Sequence, residues 1–339
     1  MVVTGAAGYI GSHAVLALLD RGVRVLGIDN MVCGNRHAVE VLRHAGGDRF
    51  AFEECDVLEH DRLVIALNAF RADAVIHFAA LASVGESMQE PLRYWRSNAA
   101  GTISLLSAMR ACGIGRIVFS STCATYGIPD AEALPLRETA PQRPINPYGR
   151  SKLACEQAIL DEHAAAGGPL SVAILRYFNV AGCDPQARLG EDHRPETHLI
   201  PICLEVALGQ RSHVDVLGDD YPTADGTCVR DYVHVSDLVD AHLLALERMS
   251  AATPIIANIG IGRGFSVREV LDACRRVTGR SIPHRPAPRR AGDPPTLFAD
   301  ASHVRRALGW CPRFVSLDDT VATAWAWRAA HPDGYPRRS

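Results

Sequence analysis

The segment Gly5-Ala6-Ala7-Gly8-Tyr9-Ile10-Gly11 follows the short run Met1–Thr4 and leads directly into a helical pattern. Three glycines in a strand-to-helix turn constrain this chain more than any other feature. Gly5 permits the tight turn, Gly8 lets backbone approach a pyrophosphate, and Gly11 allows close helix–strand packing. The helix N-terminus that follows offers unpaired N–H groups and a partial positive charge to phosphates. Asp29 stands eighteen residues past Gly11, at the end of the next strand-like run. A carboxylate there accepts hydrogen bonds from ribose hydroxyls and repels a 2′-phosphate, which favours NAD over NADP. Asp56, after the third run, is placed to meet the adenine edge.

Runs at Met1–Thr4, Val23–Ile28, Arg49–Phe52, Ala74–His77, Arg116–Ser120 and Ser171–Arg176 read as buried strands. Helical patterns at Gly11–Asp20, Asn35–His44, Asp61–Phe70, Leu92–Ala111 and Tyr148–Ala166 separate them. This alternation predicts an α/β fold with a doubly wound parallel sheet of the Rossmann type. After Gly182 the texture changes, and Cys183–Thr197, rich in Pro, Gly and His, predicts an irregular, ligand-covering connection. Further on lie helices at His198–Gly209, Val235–Ser250 and Val267–Thr278, a strand near Asp215–Leu217, and the proline-rich stretch Pro283–Pro295. The 339 residues suffice for two lobes. The expectation is an NAD-binding domain over 1–178 and a smaller mixed α/β lobe over 179–339. That lobe would mainly bind substrate, with some segments returning to the first.

The most informative stretch is Tyr148-Gly149-Arg150-Ser151-Lys152. Asn146-Pro147 before it marks a helix start, so Tyr148 and Lys152 stack on one helical face as i and i+4. An ordinary tyrosine, with a pKa of about 10, is a poor base at neutral pH. A nearby ammonium and a positive nicotinamide ring would favour the phenolate. Phe119-Ser120-Ser121-Thr122 closes the fifth strand, and Thr122 would bridge Tyr148 and the reacting oxygen. These groups converge at the carboxyl edge of the sheet, where open α/β folds bind ligands.

With these blocks in view, the chain resembles the extended short-chain dehydrogenase/reductase family, and within it the UDP-glucose 4-epimerases. Similar blocks run nearly end to end, among them Gly8–His13, Val84–Ser87, Pro147–Lys152, Leu175–Gly182, Gly190–Asp192, Asp225–Thr227, Val229–Val235 and His331–Tyr335. The resemblance implies that Tyr9, Ile10, Asn30, Val57, Phe78, Ala79, Ala80, Asn98, Ser120 and Tyr177 join the glycine turn, Asp29, Asp56, Tyr148 and Lys152 around NAD. It implies that Asn179, Arg230 and Arg290 hold a UDP diphosphate, with Asp293 on the uridine ribose and Leu217 against uracil. Ser121, His198, Leu199, Tyr232 and Leu297 would complete the substrate pocket. Three positions depart from the family pattern: Ala82 replaces a lysine often found there, His198 a common asparagine, and Leu297 a frequent tyrosine.

The resemblance implies a redox-neutral reaction on a UDP-hexose through a 4-keto intermediate, interconverting UDP-galactose and UDP-glucose. Another UDP-sugar 4-epimerase stays open, for the N-acetyl pair, a pentose or a uronate. A dehydratase needs an acidic pair just after Thr122, where Cys123-Ala124 stands; a non-catalytic NAD sensor of this fold usually lacks the tyrosine or lysine, and this chain has both. A formal charge of −3 gives no reason to expect nucleic acid or an anionic membrane as partner. No run approaches the ~18 apolar residues of a membrane span. The first strand begins at once, which predicts no signal peptide and a cytoplasmic protein. Ten scattered cysteines, never closer than the step from Cys112 to Cys123, predict free thiols. No metal is expected, because the 14 histidines form no HxxxH or HExxH pair. By resemblance the protein is expected to be a homodimer through the helices Leu92–Ala111 and Tyr148–Ala166.

Overall fold

The computed structural model describes residues 1–165, 170–290 and 292–336. In the first half, strands β1 (Val2–Thr4), β2 (Val25–Asp29), β3 (Phe50–Glu54), β4 (Val75–His77), β5 (Arg116–Thr122) and β6 (Ser171–Tyr177) alternate with helices. These helices are α1 (Tyr9–Asp20), α2 (Arg36–Gly46), α3 (His60–Phe70), α4 (Val84–Gln89), α5 (Pro91–Tyr94), α6 (Gly101–Ala111) and α7 (Pro147–Ala164). The second half adds β7 (Asn179–Ala181), α8 (Leu199–Ala207), β8 (Val214–Leu217), β9 (Val229–His234), α9 (Val235–Arg248), β10 (Ile255–Ile259) and β11 (Gly264–Ser266). It closes with α10 (Val267–Thr278), β12 (His284–Ala287), β13 (Thr296–Leu297), α11 (Ser302–Leu308) and α12 (Leu317–Ala330).

The main sheet is parallel, in the order β10-β6-β5-β4-β1-β2-β3. Strand order therefore reverses between β1 and β4, which opens a crevice beyond their carboxyl ends. The sheet holds seven strands rather than the expected six, because β10 returns from the second half to flank β6. β10 carries a buried Asn258 in its apolar run, and that amide is satisfied by Tyr126 and the Leu136 carbonyl. The expected helix Leu92–Ala111 is interrupted: α5 gives way to a π-helical turn at Trp95–Ala100 before α6. β5 runs two residues beyond its expected end, so Ser121 and Thr122 are strand residues. α7 ends at Ala164, while Ala166 and Ala291 lie outside the described residues.

One apolar core runs from Val3, Ala14 and Leu19 through Leu238 and Val270 to Trp327, joining the two halves. A second core on the other face gathers Val2, Ile28, Leu63, Leu105, Ile117 and Ile159. Each such side chain contributes roughly 1.5–3 kcal/mol on burial, which fixes the sheet edge that carries the site. The smaller sheet aligns β11, β9 and β13, with β7 added alongside β9. Among the described residues, no helix is long and apolar enough to cross a membrane.

Candidate active site

The turn after β1 needs its glycines for different reasons. Gly5 has φ +70°, and a Cβ there would sit 2.7 Å from the Ala79 nitrogen; one on Gly11 would sit 2.0 Å from the Gly5 carbonyl oxygen. At Gly8 the nearest such atom is an ordinary 3.4 Å away, so this residue stays open to a ligand. A cleft of about 500 Å³ opens beside it, lined by Gly5, Gly8, Asp29, Asn30, Asp56, Val57, Phe78, Ala79 and Ala80. Asp29 accepts from the Ala7 and Met31 amides at 3.0 and 2.8 Å, and burial raises its pKa. Asn30 donates to Asp56 at 2.8 Å, holding two cleft-lining side chains together. Tyr9 instead turns its hydroxyl to the Gly182 carbonyl, and Ile10 packs against the main core. Arg93 and Arg96, which the glycine turn and strand motifs do not mark, also line this cleft. Their only signal was a basic i, i+3 pair inside a helical pattern. A bare Gly8, a carboxylate ending β2 and two guanidinium groups fit a dinucleotide such as NAD.

At the carboxyl edge of the sheet, Asn146 caps α7 by accepting from the Gly149 amide at 2.8 Å, with Pro147 in the first turn. This sets Tyr148 facing β5, where the Thr122 side chain works against the rise in its pKa. Lys152, one turn on, donates to the Ser120 carbonyl at 2.8 Å and lies 4.8 Å over the Phe119 ring. Ser120 and Tyr177 pair their hydroxyls at 2.7 Å. Burial pushes the Tyr148 phenol well above its ordinary value and lowers Lys152 to about 8. Desolvation governs the Tyr148 phenol, and the Lys152 ammonium donates to the Ser120 carbonyl rather than to the phenol. Tyr148 rests as a neutral phenol.

Ser121 and Asn98 stand apart from the open site. Side chains alternate along a strand, so Ser120 and Thr122 face the site while Ser121 points away and donates to Glu156. Glu156 pairs with Arg176 at 2.7 Å, and Arg176 also donates to the Tyr126 hydroxyl at 3.0 Å. This buried network braces α7 against β5 and β6, and no periodic signal announced it. Asn98, in the π-helical turn, bonds both polar groups of the Leu81 backbone and the Ser151 hydroxyl. Leu81, which lines the cofactor cleft, packs with Tyr94 and Tyr148 and so links the cleft to the phenol.

The remaining residues come from the second half. Asn179 on β7 is the register partner of Tyr232 on β9, and Arg230 is that of Leu297 on β13. Arg230 lies 3.6 Å from Asp293, Leu217 ends β8, and Arg290 is exposed. Leu297 packs with Tyr126, Leu136, Phe178 and Ala299. His198 precedes Leu199 at the start of α8 and meets two carboxylates, Glu191 at 2.9 Å and Glu196 at 3.2 Å. His193 reaches the same pair at 3.4 and 3.7 Å. Burial alone would lower both imidazoles, yet the carboxylates outweigh it and raise His193 to about 9 and His198 to about 10.

A profile of the NAD dependent epimerase/dehydratase family matches residues 1–260. The chain belongs to that family. Its members' cofactor makes this protein an NAD-dependent enzyme, as the glycine turn and Asp29 predicted. A UDP-glucose 4-epimerase of Lacticaseibacillus casei is 48% identical over 340 residues, covering 100% of this chain and 99% of that one. Among solved structures, the Stenotrophomonas maltophila UDP-glucose-4-epimerase with bound NAD and formylated UDP-arabinopyranose superposes with a TM-score of 0.92. It is 42% identical and covers 98% of both chains. The Bifidobacterium longum UDP-glucose 4-epimerase in complex with NAD+ and UDP gives a TM-score of 0.93 at 37% identity, covering 98% of this chain and 99% of that one. The parallel Rossmann-type sheet of this family member is the one its sequence predicted.

Proposed function

We propose that this enzyme inverts C4 of a UDP-hexose, interconverting UDP-galactose and UDP-glucose. One observation carries the reading: a buried Tyr148 beside Thr122, with Lys152 one helical turn away, at the carboxyl edge of a parallel sheet. Tyr148 takes the proton of the sugar 4-hydroxyl, Thr122 steadies it, and Lys152 holds the nicotinamide ribose. When bound, NAD supplies the hydride acceptor and a positive ring that favours the phenolate. A general base of this kind is worth about 10²–10⁴-fold. Asn179, Arg230 and Arg290 keep the diphosphate, Asp293 the uridine ribose and Leu217 the uracil, so the 4-keto sugar stays tethered while it turns over. His198, Leu199, Tyr232 and Leu297 border that sugar. Guanidinium forks suit the diphosphate role of the two arginines.

The alternative is another UDP-sugar 4-epimerase, and Leu297 keeps the N-acetyl pair open as a second substrate. A dehydratase is disfavoured because Cys123 and Ala124 follow Thr122, and burial pushes the Cys123 thiol up to about 12. The protein acts in the cytoplasm as a homodimer through α5–α6 and α7, where Leu92, Trp95 and Ile103 are exposed. To test the reading, purified protein is given a panel of UDP-sugars with no added cofactor. UDP-galactose should yield UDP-glucose, without loss of 18 daltons, and acid denaturation should release NAD(H). Water loss, predominant NADP(H), or no turnover of any UDP-hexose would overturn it.

A further inference from the structure

Beyond the cofactor cleft, the loop before α8 gathers Glu191, His193, Glu196 and His198, whose ligand atoms all lie within 4.8 Å of one another. We propose that these four side chains form a divalent-cation site of the kind that holds zinc.

The contact lengths support this. Imidazole-to-carboxylate separations are 2.9, 3.2, 3.4 and 3.7 Å. A tetrahedral zinc site with bonds of about 2.0–2.1 Å has ligand–ligand edges of roughly 3.3–3.4 Å. The imidazole-to-carboxylate separations bracket that edge, and the longest separation in the cluster, up to 4.8 Å, would have to close by about 1.5 Å around an ion.

Unmet bonding in the cluster supplies an independent argument. Glu191 is only 7% exposed, and neither its Oε1 nor His193 Nδ1 makes a well-aligned hydrogen bond among the described residues, although His198 Nδ1 stands 2.9 Å from that oxygen as an ion-pair partner. Glu191 Oε1 and His193 Nδ1 are 3.4 Å apart. A buried polar atom left unmet costs about 1–3 kcal/mol, and a cation between them would satisfy both. Glu196 is held for the task, since its Oε1 accepts from the Thr197 and His198 amides at 2.8 Å each. Outer contacts of this type orient metal ligands.

Donor type narrows the ion. Two imidazoles and two carboxylates suit zinc and its first-row neighbours, whereas magnesium and calcium favour oxygen alone. The helical spacings HxxxH and HExxH are missing because these ligands come from an irregular loop, with two residues between His193 and Glu196. The site is structural. His193 packs its ring against Tyr9 of the cofactor turn, with centroids 6.1 Å apart, so the ion would pin this loop beside the phosphate-binding glycines. No step of the proposed reaction uses it, and the test does not read turnover.

Metal-stripped protein is titrated with Zn²⁺ by calorimetry and, separately, with Co²⁺ by absorption. Wild type should take up one equivalent of Zn²⁺. Its Co²⁺ form should show the intense visible bands of tetrahedral nitrogen/oxygen ligation, without a near-ultraviolet thiolate band. His193→Ala and Glu191→Gln should each weaken Zn²⁺ binding at least 100-fold, with folding checked by circular dichroism. No uptake by wild type, uptake unchanged in both variants, or a thiolate band from cysteine ligation would overturn the site. Should either variant fail to fold, the wild-type Co²⁺ spectrum alone decides.

Discussion

The carboxyl edge of the sheet and the loop that carries Glu191–His198 both hold buried charged groups, but they place them by different means. At the edge, strand alternation and helical pitch set each side chain: Ser120 and Thr122 face one way, Ser121 the other, and Tyr148 sits above Lys152. In the loop no regular element dictates direction, and only the folded chain brings Glu191, His193, Glu196 and His198 together. The contrast teaches that repetitive backbone makes a site predictable from local sequence, whereas irregular backbone leaves it to tertiary contacts.

The largest effect should come from the residue that regular structure places best. Tyr148→Phe is expected to lower kcat by about 10²–10⁴-fold with little change in KM. Steady-state kinetics with UDP-galactose checks this, and near wild-type turnover would mean that edge geometry has been misread.

The next prediction asks whether register alone holds that edge. Arg176 and Glu156 are 5% and 2% exposed, and removing one partner leaves a buried charge unpaired. Arg176→Met should therefore cost about 3–5 kcal/mol, measured by denaturant unfolding. A loss below about 1 kcal/mol would show that the strands need no such brace.

A smaller and selective effect is expected at Leu297, on the second-half side of the comparison. Overpacking a confined site costs about 1–3 kcal/mol, or roughly 5- to 150-fold. Leu297→Tyr should lose that much rate on UDP-N-acetylglucosamine while sparing UDP-galactose. Because Leu297 packs into the cluster around Tyr126 and Phe178, an unchanged ratio would identify it as a core residue rather than a gate.

The smallest effect is a pH slope from Lys152. Its folded pKa of about 8 lies below the ordinary 10.5, because burial disfavours the ammonium. Between those values the unfolded chain binds the proton that the folded chain has shed, so stability rises with pH. NAD-free wild type should gain up to about 1.4 kcal/mol per pH unit relative to Lys152→Met. Parallel stability curves for the two proteins would refute the burial argument.

Much was legible before folding. The glycine turn, Asp29 and the Tyr148–Lys152 pair follow from steric and helical rules that act within a few residues. The sequence by itself determined the parallel α/β sheet, its NAD-binding crevice and the helix that sets Tyr148 and Lys152 one turn apart. Only the tertiary structure decided that β10 crosses from the second half to complete the sheet, that Ser121 turns from the site to Glu156, and that Lys152 meets a carbonyl before it meets the phenol. It alone brought His193 and His198 between two carboxylates. The physical reason is range: propensity and periodicity act over one or two turns, whereas burial and charge pairing depend on which distant segments share a core.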